Sequence, residues 1–205
     1  MSATTALPAE RLPRLQVPGE TVEPGRRNYF SDLIRISFPK QPDALACATM
    51  FTAPHPGCGV SFICSYIATE MAAQGGKVLL ADAHAIVALT HQDGGIAFQL
   101  CERIEPGRVW VLGLQQLSKG RTEAKAVCAS VTSILDSLKQ EFSVIIIDAP
   151  ATSASDDALI LSTAVYGTVL VAEAGRTEKR QIVESQRRIS ALGGRVLGSV
   201  YNSRD

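Results

Sequence analysis

The chain has 205 residues, 46% of them apolar and 20% charged, with formal net charge +0. That is the size of one domain with a substantial core, and the balance excludes binding to nucleic acid or an anionic membrane by bulk charge. No apolar run approaches the roughly 18 residues needed to span a bilayer, and the N-terminus has no apolar stretch of the kind that opens a secretory signal.

Residues 1–26 carry Pro8, Pro13, Pro18 and Pro24 among polar neighbours and read as a mobile arm, with an ordered surface strap as the alternative. Residues 27–205 read as a single domain. Phe30, Leu33, Ile34 and Phe38 give a short helical pattern over Tyr29–Phe38, stopped by Pro39. From Cys47 onward, apolar strands alternate with amphipathic helices. Strands are predicted at Cys47–Ala53, Lys77–Ala83, Arg108–Leu114, Ser143–Ala149, Thr168–Ala174 and Arg195–Asn202. Helices are predicted at Ser61–Gln74, Lys125–Phe142, Asp156–Tyr166 and Thr177–Leu192. Continuous apolar strands of this kind are buried on both faces. The expected fold is therefore α/β, a doubly wound and mostly parallel sheet between two helical layers. Right-handed crossovers then bring the strand C-termini, and the groups they carry, to one edge. The five cysteines, Cys47, Cys58, Cys64, Cys101 and Cys128, are odd in number and lack C-x-x-C spacing, which predicts reduced thiols and a cytoplasmic setting.

The turn after the first strand is the most informative segment. Ala53-Pro54-His55-Pro56-Gly57-Cys58-Gly59-Val60-Ser61 has the frame of a phosphate-binding loop, G-x-x-x-x-G-K-[ST], with Val60 where the lysine stands. Gly57 and Gly59 permit a tight loop whose N–H groups face an anion. Ser61 is a candidate Mg²⁺ ligand, or else the cap of the following helix. The missing ammonium normally reaches the β- and γ-phosphates. Each hydrogen bond to a charged group contributes about 1.5–3 kcal/mol, so losing two weakens binding on the order of 100-fold or more. His55 is the one cationic substitute within the loop. Cys58 lies beside a helix N-terminus and is read as a small filler or a redox-sensitive thiol. His84 and His91 read as polar surface or loop residues.

From Ala46 to Asp205 the chain resembles the ATPase domain of bacterial tyrosine autokinases that regulate capsule and exopolysaccharide synthesis, within the deviant-Walker group of P-loop ATPases. The resemblance rests on five ordered segments: Lys77–Ala83, Val144–Pro150, Ser155–Leu161, Val171–Thr177 and Arg195–Asn202. It implies a P-loop three-layer sandwich, with Asp148 ending the Walker B strand as an inherited metal position and Asp82 as the acid that would activate the attacking group. Asp157 or Asp156 falls on a further acidic position, with helix capping as its plainer role. The departures fall on one functional axis. Val60 replaces lysine, Asp82-Ala83-His84-Ala85-Ile86 stands where D-x-D-x-R is usual, and the chain stops at Asp205 without a tyrosine-rich tail. Tyr29, Tyr66, Tyr166 and Tyr201 are scattered, three of them in predicted core elements. The N-terminal E-x-x-R-x-x-R helix is kept only through Arg35.

The resulting expectation is a non-catalytic regulatory or scaffold module without a cofactor. Gly57, Cys58, Gly59, Val60 and Ser61 form the inherited cofactor site, Asp82 and Asp148 the inherited catalytic acids, and Ser61 and Asp148 the Mg²⁺ ligands if a nucleotide binds. The alternative is an ATP-binding ATPase or tyrosine kinase with a rearranged phosphate site, reached by a lysine such as Lys40 or one from a partner. Expected partners, implied by the resemblance, are a membrane-embedded polysaccharide chain-length regulator or a catalytically intact paralogue, recruiting the chain to the inner membrane face. A homo-oligomer is a further option.

Overall fold

A computed structural model of the chain describes residues 32–38, 46–90, 94–104, 107–114 and 130–203. The expected arm at 1–26, Tyr29, Lys40, His91 and Cys128 lie outside the described residues. Seven strands make one sheet: β1 Cys47–Thr52, β2 Val78–Asp82, β3 Glu102–Ile104, β4 Val109–Leu112, β5 Val144–Asp148, β6 Gly167–Glu173 and β7 Val196–Asn202. Their order is β3-β4-β2-β5-β1-β6-β7, with every pairing parallel except β3 with β4. The helices are α1 (residues 32–37), α2 Val60–Ala73, α3 Ala83–Leu89, α4 Val131–Glu141, α5 Asp157–Leu161 and α6 Lys179–Ala191.

The strands alternate their side chains between two helical layers, as the pleat requires. Met50, Leu79 and Ile145 point to one face, where Ile86 and Leu89 of α3, Ile134 and Leu138 of α4 and Leu161 of α5 close the core. Their neighbours Phe51, Leu80 and Ile146 point to the other, against Ile63, Cys64 and Ile67 of α2 and Leu33 of α1. Each such aliphatic side chain contributes about 1.5–3 kcal/mol by leaving water. The three-layer α/β architecture is therefore as the apolar runs predict.

Local differences have local causes. α4 begins at Val131 because Ser130 caps it, its Oγ accepting the Ser133 N–H at 3.1 Å. α5 stops at Leu161, well short of Tyr166. The stretch between β2 and β4, which has only a weak apolar pattern, holds α3, a 3₁₀ segment at Gly94–Leu100 and the short β3. α2 ends as predicted at the glycine pair: Gly75 takes φ 93° and donates to Ala72, while Gly76 donates to Met71. No helix among the described residues is long and apolar enough to cross a membrane.

Candidate functional site

The sheet places the acids before any side chain is considered. β2 and β5 are neighbours in register, with Asp82 opposite Asp148 at their C-terminal ends. β1, on the other side of β5, runs into the loop 53–59 and then into α2. Loop and strand ends enclose a cleft of about 630 Å³ lined by His55, Val60, Ser61, Asp82, His84 and Asp148, among others. No lysine or arginine lines it among the described residues.

The loop keeps the phosphate-loop backbone. Gly57 and Gly59 have φ 89° and 90°, which only glycine adopts without strain. A Cβ on Gly59 would also collide with the Asn202 amide, which reaches across from the end of β7 and donates to Cys58 O at 3.0 Å. Val60 opens α2 and turns its side chain onto the apolar cluster beneath. The helix cap is Gly59 and not Ser61, because α2 already begins at Val60, two residues before a helix capped by Ser61 would start. Ser61 instead lies beside the Asp148 carboxylate, where its hydroxyl favours the ionised form.

His55 is drawn inward. Its ring nitrogens lie 3.1 Å from Pro56 O and 3.0 Å from Thr177 Oγ1, and that hydroxyl accepts the Glu173 N–H at 2.8 Å. A consistent proton count follows. Thr177 donates to Nε2, Nδ1–H donates to Pro56, and the buried Cys58 thiol donates to His55 O at 3.2 Å. The ring ties the loop to the turn before α6, and Cys58 serves the same tie.

Burial pushes the Asp148 carboxyl up to about 6; the Ser61 hydroxyl opposes the shift and the Asp82 charge adds to it. Behind it, burial holds the Cys64 thiol well above the usual range, with Asp148 adding to the effect. Asp82 caps α3, its Oδ1 accepting the His84 N–H at 2.8 Å. Asp157 does not cap its helix by side chain. It is 8% exposed and contacts His84 Nδ1 through Oδ2. Asp156 faces Arg188 at 3.4 Å instead.

The structure thus gathers the loop residues, Asp82 and Asp148 into one cleft, as the sequence order of the strands predicts. Sequence reasoning missed the His84–Asp157 pair. The available signal was the histidine two residues past a strand-end aspartate, and it needed α3, which the pattern did not reveal. Of the tyrosines, Tyr66 is buried, whereas Tyr201 on β7 is exposed despite its place in a predicted core strand.

No protein-family model matches the chain. It is 29% identical over 182 residues to the tyrosine-protein kinase YwqD of Bacillus subtilis (strain 168), covering 77% of this chain and 72% of the relative. In structure it is similar to the kinase domain of the Escherichia coli tyrosine kinase ETK, with TM-score 0.64 at 18% identity over 92% of this chain and 78% of that one. It is also similar to the MinD cell division protein of Aquifex aeolicus, with TM-score 0.55 at 16% identity over 77% and 69% of the two chains. These two likenesses establish the shared α/β three-layer fold.

Proposed function

From the premise that this chain is a homologue of bacterial tyrosine-protein kinases, we propose that it is a catalytically silent member of that group, a regulatory or scaffold module in exopolysaccharide or envelope synthesis. The observation that carries the reading is the charge of the cleft. Val60 stands at the lysine position with its side chain on the apolar cluster, and the lining holds Asp82 and Asp148 without a lysine or arginine. A triphosphate entering there meets carboxylates and no lysine or arginine of the lining, and the nearest guanidinium, Arg176 beside Gly57, is paired with Glu173 at 3.1 Å, so the electrostatic term that dominates phosphoryl transfer is weakened.

If a nucleotide were to bind, the loop N–H groups of residues 57–61 would face its phosphates, and Ser61 and Asp148 would hold Mg²⁺ to offset their charge. The residues fit that arrangement in position, since Ser61 already meets the Asp148 carboxylate. They do not supply the ammonium. His55, the one candidate inside the loop, is spent on Thr177 and Pro56. The module's surroundings, a membrane-embedded chain-length regulator or an intact paralogue, follow from the resemblance alone.

Calorimetry with ATP and Mg²⁺ at millimolar nucleotide tests the reading. The expected result is no saturable binding and no phosphate release above that of an Asp148→Ala control. Saturable binding with Asp148-dependent turnover would replace this reading with an ATPase or kinase whose phosphate site has been rebuilt.

A further inference from the structure

α3 follows β2 without a break, and His84 is its second residue. Asp82 fixes that residue's backbone by accepting its N–H. Asp157 fixes its ring. This aspartate is the first residue of α5, its own N–H is held by Ser155 Oγ at 3.2 Å, and its Oδ2 has no hydrogen-bond partner beyond contact with His84 Nδ1. A buried carboxylate oxygen is costly unless a donor faces it, so in the neutral ring this contact favours the proton on Nδ1. Nε2 is left with its lone pair and has no partner among the described residues. The ring borders the phosphate-loop cleft, and its side chain is 57% exposed. The neutral imidazole therefore has a favoured tautomer, with a carboxylate behind it and an accessible nitrogen lone pair in front. That is the arrangement of an activated nucleophile.

We propose that His84 is a phosphoryl acceptor, taking a phosphoryl group on Nε2 from a small donor of the N-phosphoryl or acyl-phosphate class that enters the cleft. With phosphoramidate the Nε2 lone pair forms the new N–P bond. The donor's P–N bond breaks, and its electron pair leaves with the nitrogen as ammonia, already protonated in the zwitterionic donor. The ring gains positive charge and keeps its Nδ1 proton, which faces the Asp157 carboxylate. The phosphate loop and the first residues of α2 line the same cleft as the ring. The proposal rests on the silent-cleft reading in one respect: the donor is small and carries less charge than a triphosphate, because the lining holds no lysine or arginine among the described residues. Phosphorylation would then mark a scaffold, without turnover by it.

The test is to incubate the purified full chain with phosphoramidate, with and without Mg²⁺, and to read intact mass, acid lability and the labelled peptide. The chain has three histidines, so mapping is a choice among His55, His84 and His91. Expected is one acid-labile, alkali-stable phosphoryl group on His84, assigned to Nε2 by NMR. His84→Gln abolishes it. Asp157→Asn slows it on the order of 100-fold, because an amide donating to Nδ1 moves the proton to Nε2 and removes the lone pair. Trp110 fluorescence and circular dichroism confirm that both variants fold, and the wild-type site map stands even if one does not. An unlabelled wild type, a label on another residue, a label persisting in His84→Gln, or a wild-type rate in Asp157→Asn overturns the proposal. A parallel incubation with γ-labelled ATP separates the two readings. Transfer from ATP would end the silent-cleft reading, while the phosphoramidate result decides His84 by itself.

Discussion

The two ends of strand β2 handle charge in opposite ways. At its entrance Lys77 sits over three rings, its Nζ 4.7 Å from the centre of Phe98, 5.0 Å from Phe142 and 5.3 Å from Trp110, with Glu141 at 3.2 Å. At its exit, five residues on, Asp82 lies beside Asp148 in a cleft that no lysine or arginine lines among the described residues. One end has a cation surrounded by everything that stabilises it. The other has Asp148, whose charge burial and the neighbouring Asp82 disfavour. The first arrangement lowers the energy of the fold and is read as structure. The second raises it, and costs of that kind gather where a protein binds or reacts.

The strongest way to break the contrast is to remove the aromatic floor at the stable end. Phe142 is 2% exposed, packs edge-on with Trp110 at 5.7 Å between centroids, and lies in the same cluster as Ile134 and Leu138. Phe142→Ala is expected to destabilise the chain by about 3–5 kcal/mol, read as a fall in the urea midpoint. A loss below about 1 kcal/mol would mean that the cage is decoration. Next in size is the reverse operation at the other end. Val60→Lys restores a cation where the cleft lacks one, and Mg-ATP affinity by calorimetry should rise on the order of 100-fold, the worth of two charged hydrogen bonds. No gain in a folded variant would place the lesion in the wider cleft and not in Val60.

The same contrast explains what the sequence made legible. Val144–Asp148 is an unbroken apolar run ending in an acid, so both the strand and its charged end are legible directly. The loop glycines announced a tight turn, and the turn is there. α3 was illegible because Ala83–Leu89 is short and nearly all apolar, with no polar face to give a period. His84 was therefore read as a loop residue, and its partner Asp157, 73 positions along the chain, as a cap. Lys77 was read only as the start of a strand, since the rings that surround it come from a 3₁₀ segment, β4 and the residue after α4. Patterns within an element are visible in sequence; pairings between elements are not.

A third experiment measures the cost at the cleft end. The Asp148 carboxyl stands at about 6 in the fold against 3.8 for the free side chain, chiefly through burial. The folded state therefore binds a proton that the unfolded state has already lost between those values. Stability contributed by this group is fully present below 3.8 and falls as pH rises through about 6. Above that the ionised carboxylate costs up to about 3 kcal/mol. Asp148→Asn is expected to raise the melting temperature at pH 8, to change it little at pH 4, and to flatten the profile between. A variant that is less stable at pH 8 would show that the Ser61 hydrogen bond outweighs burial.

The smallest effect separates two accounts of Lys77. Its ammonium touches both Glu141 and the three rings, and either could hold it. An ion pair this exposed, with side chains 34% and 43% accessible, contributes about 0–1 kcal/mol and weakens in salt. Cation–π contacts on a partly desolvated face contribute about 1–2 kcal/mol, and salt screens them less. Lys77→Met keeps the stem over the rings and removes only the charge, so it should cost about 1 kcal/mol in urea titrations, with little change at high salt. Glu141→Gln, which leaves the rings untouched, should cost less than half of that. If the two substitutions cost the same and the loss vanishes in salt, the cage is an ordinary surface ion pair. The entrance and exit of β2 would then differ only in the sign of their charge, not in how well it is held.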